Sequence, residues 1–160
     1  MKPLFQTVVV AVSGSEASIK AAKYGIALAK GYRSNLVAVY VVDTATLREL
    51  LISKIFVEDE SSEYERSLED NGRRYLNYVD ELAQKKGITV EKELRKGSVS
   101  TEIVRAADEK NADLILLGGI EDKGGLREVM SRQHREILNH AKCSVLVVKH
   151  PDIDFLYRKL

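Results

Sequence analysis

The chain has little with which to make cross-links or to reach into a membrane. Its 160 residues include one cysteine, Cys143, so no intramolecular disulfide can form. That fits a reduced compartment. Proline occurs only twice, and no apolar run approaches the length needed to span a bilayer. The start, 1-MKPLFQTVVVAVSGS-15, carries an apolar run of strand length and no signal peptide. Net charge is also nearly missing. Charged residues make up 31% of the chain, yet the formal balance is only +1. Without a basic excess there is no polyanion footprint, which argues against nucleic acid and anionic membrane as partners. The expectation is a cytoplasmic chain with one domain over residues 1–150 and a C-terminal extension over 151–160 that docks on it.

Short apolar runs supply the frame. The segments 7-TVVVAV-12, 36-LVAVYVV-42, 113-DLILLG-118 and 144-SVLVV-148 read as strands buried on both faces. A more charged stretch, 88-ITVEKEL-94, belongs at a sheet edge. Between them lie helical patterns. Ser13 and Glu16 have capping-box spacing before a helix bearing Ile19, Ala22, Ile26 and Ala29, which Gly31 is expected to stop. Residues 44–57 suggest a short helix or a packed loop. From about Glu60 a long helix follows, with Tyr64, Leu68, Tyr75, Leu76, Val79, Leu82 and Ala83 on one face and Gly87 at its end. Ser98 or Ser100 caps the next. In the tail, Ile153, Leu156, Tyr157 and Leu160 share a helical face. Strands alternating with helices imply an α/β fold: an open five-stranded parallel sheet with helices on both faces.

In such sheets ligands bind beyond the carboxyl ends of the strands, where strand order reverses. Those ends carry Ser13-Gly14, Val42-Asp43, Gly97-Ser98 and Gly118-Gly119. Glycine there permits close backbone approach to an anion, although a strand-to-helix turn alone asks for the same residue. His134 and His140 have no partner at metal-ligand spacing, and Cys143 has no assignable base; no metal site and no catalytic residue are expected. A phosphoacceptor receiver domain would need acids after the first and third strands, where Ser13 and Arg95-Lys96-Gly97 stand.

The order 7-TVVVAVSGSEAS-18, 36-LVAVYVVD-43, 97-GSVSTEIVRAADEKNADLILLGG-119 and 137-ILNHAKCSVLVVK-149 resembles the universal stress proteins. The resemblance implies a Rossmann-like domain that dimerises, commonly by antiparallel pairing of the last strands. Some members bind ATP or AMP through a glycine-spaced loop that closes on glycine with serine or threonine. An aspartate after the first strand and backbone at the end of the second hold the nucleoside. Here Gly118 matches the first glycine, Glu121 stands at the second, Ser131-Arg132 replace the closing pair, and Ser13 replaces the aspartate. Ser13, Val41, Val42, Gly118, Glu121, Ser131 and Arg132 are therefore the candidate nucleotide residues, on a degenerate loop. Glu121 would repel phosphate. Arg132 would attract it, unless it pairs with Glu128 or Glu136 along one helical face.

Two functional expectations follow. The first is a non-catalytic, homodimeric stress-response protein with ATP binding weakened or lost, acting through a protein partner or by protecting other components. The second is an AMP- or ATP-binding switch, or a slow ATPase, with an altered phosphate loop. The dimer has an independent ground. An uncharged edge strand at Ser144–Val148 is an aggregation liability unless covered, and Val145, Val147, Ile153 and Leu156 are the expected contacts.

Overall fold

The computed structural model describes residues 4–119 and 131–160. Five strands form one sheet: β1 (Thr7–Val12), β2 (Asn35–Asp43), β3 (Val90–Gly97), β4 (Leu114–Gly118) and β5 (Ser144–Val148). Their order is β3-β2-β1-β4-β5 and every pairing is parallel. Val8 of β1 faces Leu36 on one side and Leu114 on the other. The chain therefore winds outward from β1 in both directions, and strand order reverses between β1 and β4.

Alternate residues of β1 feed two cores, as the two-residue period of a strand requires. Val8, Val10 and Val12 pack with α1 (Glu16–Tyr32) and α3 (Glu58–Gln84). Val9 packs on the opposite face with Ile103 and Ala106 of α4 (Val99–Glu109) and Ile137 of α5 (Arg132–His140). Burial on both faces explains why these strands read as unbroken apolar runs. Small residues let α1 lie close to the sheet. An added Cβ at Gly25 would sit 3.0 Å from a Leu36 methyl.

Between β2 and α3 lies α2 (Thr44–Ile52), capped by Asp43, whose carboxylate accepts from the Thr46 amide at 3.0 Å. The last helix, α6 (Ile153–Lys159), lies on α1 and α3. The buried Tyr157 hydroxyl donates to the Leu82 carbonyl at 2.6 Å, and Lys23 pairs with Asp154 at 2.7 Å. That lysine is the main cause holding the Asp154 carboxyl below its ordinary range.

Several local expectations need correction. Ser15, not Ser13, caps α1, accepting from the Ser18 amide. The helix passes Gly31 and stops at Arg33, which takes the left-handed conformation at φ 55°. Tyr64 is 48% exposed and does not join the core stripe of α3. Ile153 is 1% exposed, buried within its own chain, so it has no surface to offer a second copy. Leu156 is half-buried, as are Val145 and Val147 on β5.

Candidate functional site

The reversal of strand order between β1 and β4 opens a cavity of about 240 Å³. Its apolar walls include Val12, Val41, Val99, Ile103, Leu117 and Ile137. Its polar atoms come from Ser13, Ser15, Ser18, Gln133, His134 and the backbone of Gly118 and Gly119. None of the described lining residues is Asp, Glu, Lys or Arg. Apolar walls with a few convergent neutral polar groups suit a flat, mostly uncharged ligand.

The β1–α1 loop is held by its own serines. Ser18, 3% exposed, accepts from the Ser13 amide at 3.0 Å and its hydroxyl reaches the Ser13 carbonyl at 2.8 Å. The Ser13 hydroxyl lies 2.9 Å from that of Ser15. The short side chains of this loop bond backbone groups that would otherwise be left open.

Gly118 and Gly119 sit where backbones converge. A Cβ on Gly118 would stand 2.7 Å from the Ala17 carbonyl carbon, and one on Gly119 2.5 Å from the Val148 carbonyl oxygen. Both glycines are required by packing between β4, α1 and β5, whether or not a phosphate visits.

Across the cavity, the His134 Nε2 lies 2.9 Å from the Gly118 carbonyl oxygen, and its Nδ1 touches the Ser131 hydroxyl. A carbonyl can only accept, so Nε2 carries the proton, and in the neutral ring Nδ1 accepts from Ser131. Ser131 also caps α5, accepting from the His134 amide at 3.1 Å. The imidazole thus ties the end of β4 to the start of α5.

Of the sequence candidates, Ser13, Val41 and Gly118 line the cavity. Val42 does not; it is fully buried in the core on the α1 side. Ser131 sits behind His134. Arg132 does not line the cavity: its side chain is 85% exposed and Nε donates to Glu136 at 2.9 Å. The Ser100 hydroxyl, and after it Arg132, hold the Glu136 carboxyl below its usual range. Glu121 and Glu128 lie outside the described residues. His134, Gln133, Ser15, Ser18 and Tyr40 were not anticipated. The signal for Ser18 was its position one turn into a helix beside a Ser-Gly-Ser loop; for His134 there was none, since its partners are set by the tertiary fold.

Away from the cavity, Arg95 on β3 donates to Glu102 at 3.1 Å and to Glu109 at 2.9 Å, and also reaches Glu93. Those carboxylates, Glu109 first, raise the guanidinium further above its ordinary value. Cys143 is half-buried, and burial pushes its thiol upward, away from nucleophilic use.

Residues 4–149 of the sequence match one family's sequence model, that of the universal stress protein family. The chain belongs to the universal stress protein family. A universal stress protein of Methanocaldococcus jannaschii is 31% identical over 155 residues, covering 92% of this chain and 84% of that one. Among solved structures, a member from Burkholderia pseudomallei superposes with a TM-score of 0.72 at 24% identity, covering 94% and 100% of the two chains. Another, from Archaeoglobus fulgidus and in complex with dAMP, does so with a TM-score of 0.64 at 18% identity, covering 91% and 99%. These two solved structures therefore share the fold of this chain. Among the described residues, no helix is long and apolar enough to cross a membrane.

Proposed function

We propose that this chain is a non-catalytic, homodimeric universal stress protein in which the grip on a nucleoside triphosphate is weakened or lost. The observation that carries this reading is that Arg132 pairs with Glu136 and is not among the described residues lining the cavity. A triphosphate needs fixed cationic or amide donors along its length, and the described lining supplies no lysine or arginine. Isothermal titration with ATP and AMP tests the reading. Negligible heat from ATP is expected; tight, stoichiometric ATP binding overturns it.

A second reading is an adenine-nucleotide switch, and a specific observation favours it. The cavity at the strand reversal is formed by Ser13, Val41 and Gly118 together, and the Archaeoglobus fulgidus relative was solved with dAMP. On this reading a monophosphate or nucleoside is preferred over ATP. Mass spectrometry of small molecules released from the denatured protein separates the two: stoichiometric AMP supports the switch, and empty protein supports the first.

The homodimer is proposed through β5, an edge strand whose Val145 and Val147 are half-buried, with the half-buried Leu156 of α6 as a further contact. Pairing two such edges completes their open backbone hydrogen bonds. The Val147→Asp variant is expected to sediment as a monomer; a dimer that survives the change overturns this interface.

A further inference from the structure

The elbow between α2 and α3 exposes apolar side chains that the cavity and the β5 edge leave unused. Ile52 is 75% exposed, Ile55 65%, Val57 60% and Tyr64 48%. Scattered apolar residues on a surface mean little, but a group on one turn marks a contact surface. This turn is built. The amides of Ile55 and Phe56 both donate to the Leu50 carbonyl, at 2.9 and 3.3 Å. Lys54 adopts a left-handed conformation at φ 59°, and the Phe56 ring meets Tyr64 at 5.8 Å, which joins the turn to the first turns of α3.

The rim is acidic. From Arg48 to Arg66 stand six carboxylates, Glu49, Glu58, Asp59, Glu60, Glu63 and Glu65, against three cations, Arg48, Lys54 and Arg66. The ion pairs of α3 lie further along, at Glu69, Asp70, Arg73 and Asp80. An apolar patch inside a rim with net negative charge selects its occupant by charge. An anionic membrane is repelled, and a second copy would bring two acidic rims together. A cationic amphipathic helix fits both features, its apolar face on the isoleucines and its lysines or arginines against the rim.

We propose that the α2–α3 elbow is a docking surface for a basic amphipathic helix of a partner protein. It is independent of the nucleotide cavity. The test titrates the full-length protein into a fluorescein-labelled, helix-forming leucine–lysine peptide and reads anisotropy. Saturable binding is expected, lost with the matching leucine–glutamate peptide and weakened as salt rises from about 0.1 M to about 1 M, where the screening length falls from about 10 to about 3 Å. Ile55→Glu is expected to weaken binding about tenfold or more. Glu60→Gln with Glu63→Gln should weaken it and flatten the salt dependence. Both variants change exposed residues, and an unchanged Tm verifies that they fold. No saturable binding, or binding insensitive to Ile55→Glu, overturns the proposal. So does binding to anionic phosphatidylserine vesicles that Ile55→Glu abolishes, or self-association that the same change removes.

Discussion

Gly118 and Gly31 look alike in the sequence and are opposite in the structure. A methyl group at Gly118 would collide with the Ala17 carbonyl, and backbone cannot step aside as a side-chain tip can. Gly118→Ala is therefore expected to destabilise the protein by about 1–3 kcal/mol in urea denaturation, as overpacking does. At Gly31, within α1, an added Cβ meets nothing within 4 Å. Gly31→Ala should stabilise by up to about 1 kcal/mol, because alanine gives up less backbone entropy in a helix. Tyr157 makes a third case. Tyr157→Phe leaves the Leu82 carbonyl without its 2.6 Å partner in a buried place, and about 1–2 kcal/mol should be lost, seen as a lower midpoint with an unchanged slope.

At the scale of elements, the strands were legible because each is short, apolar and bounded by polar or glycine residues. The charged run of β3 announced its place at the edge, and the structure puts it there. Helix boundaries were less legible. Ser13 and Ser15 both have cap chemistry, and the choice fell to Ser15 because the Ser13 amide is already held by Ser18. The site divides in the same way. Ser13, Val41 and Gly118 follow from being at strand ends, which topology brings together. The His134 link between β4 and α5 joins residues 16 apart through a side chain, and no local pattern encodes that. Tyr64 was misplaced because its spacing continues the α3 stripe beyond the point where the sheet ends beneath it. The buried face of α3 thins out toward its N-terminus, where the acidic elbow begins.

Over the whole molecule, opposite charges are spread as local pairs. Asp154, Glu69, Glu109 and Glu136 all sit below their ordinary carboxyl range, each first because of a hydrogen bond from Lys23, Lys96, Arg95 or Ser100 respectively. A depressed carboxyl contributes stability that is fully present above its unfolded pKa and is lost as pH falls through its folded one. The melting temperature is expected to hold level near neutrality and to fall below about pH 4. Asp154 and Glu109 are exposed and Glu69 and Glu136 half-buried, so the part of the fall due to the first two should shrink in high salt. Asp154→Asn should remove part of that acid slope, which a series of thermal melts against pH would reveal. The order of the sheet has a further consequence, for synthesis. The strand at its centre, β1, is made first, and its pairing with β2 and then of β2 with β3 can proceed while the rest of the chain is still unmade. Its other side waits for Leu114, Ile115 and Leu116, about a hundred residues later. At about 5–20 residues per second, Val8, Val9 and Val10 present an open, sticky edge for several seconds in every round of translation. Slowing the arrival of β4 is therefore expected to raise aggregation of the nascent chain.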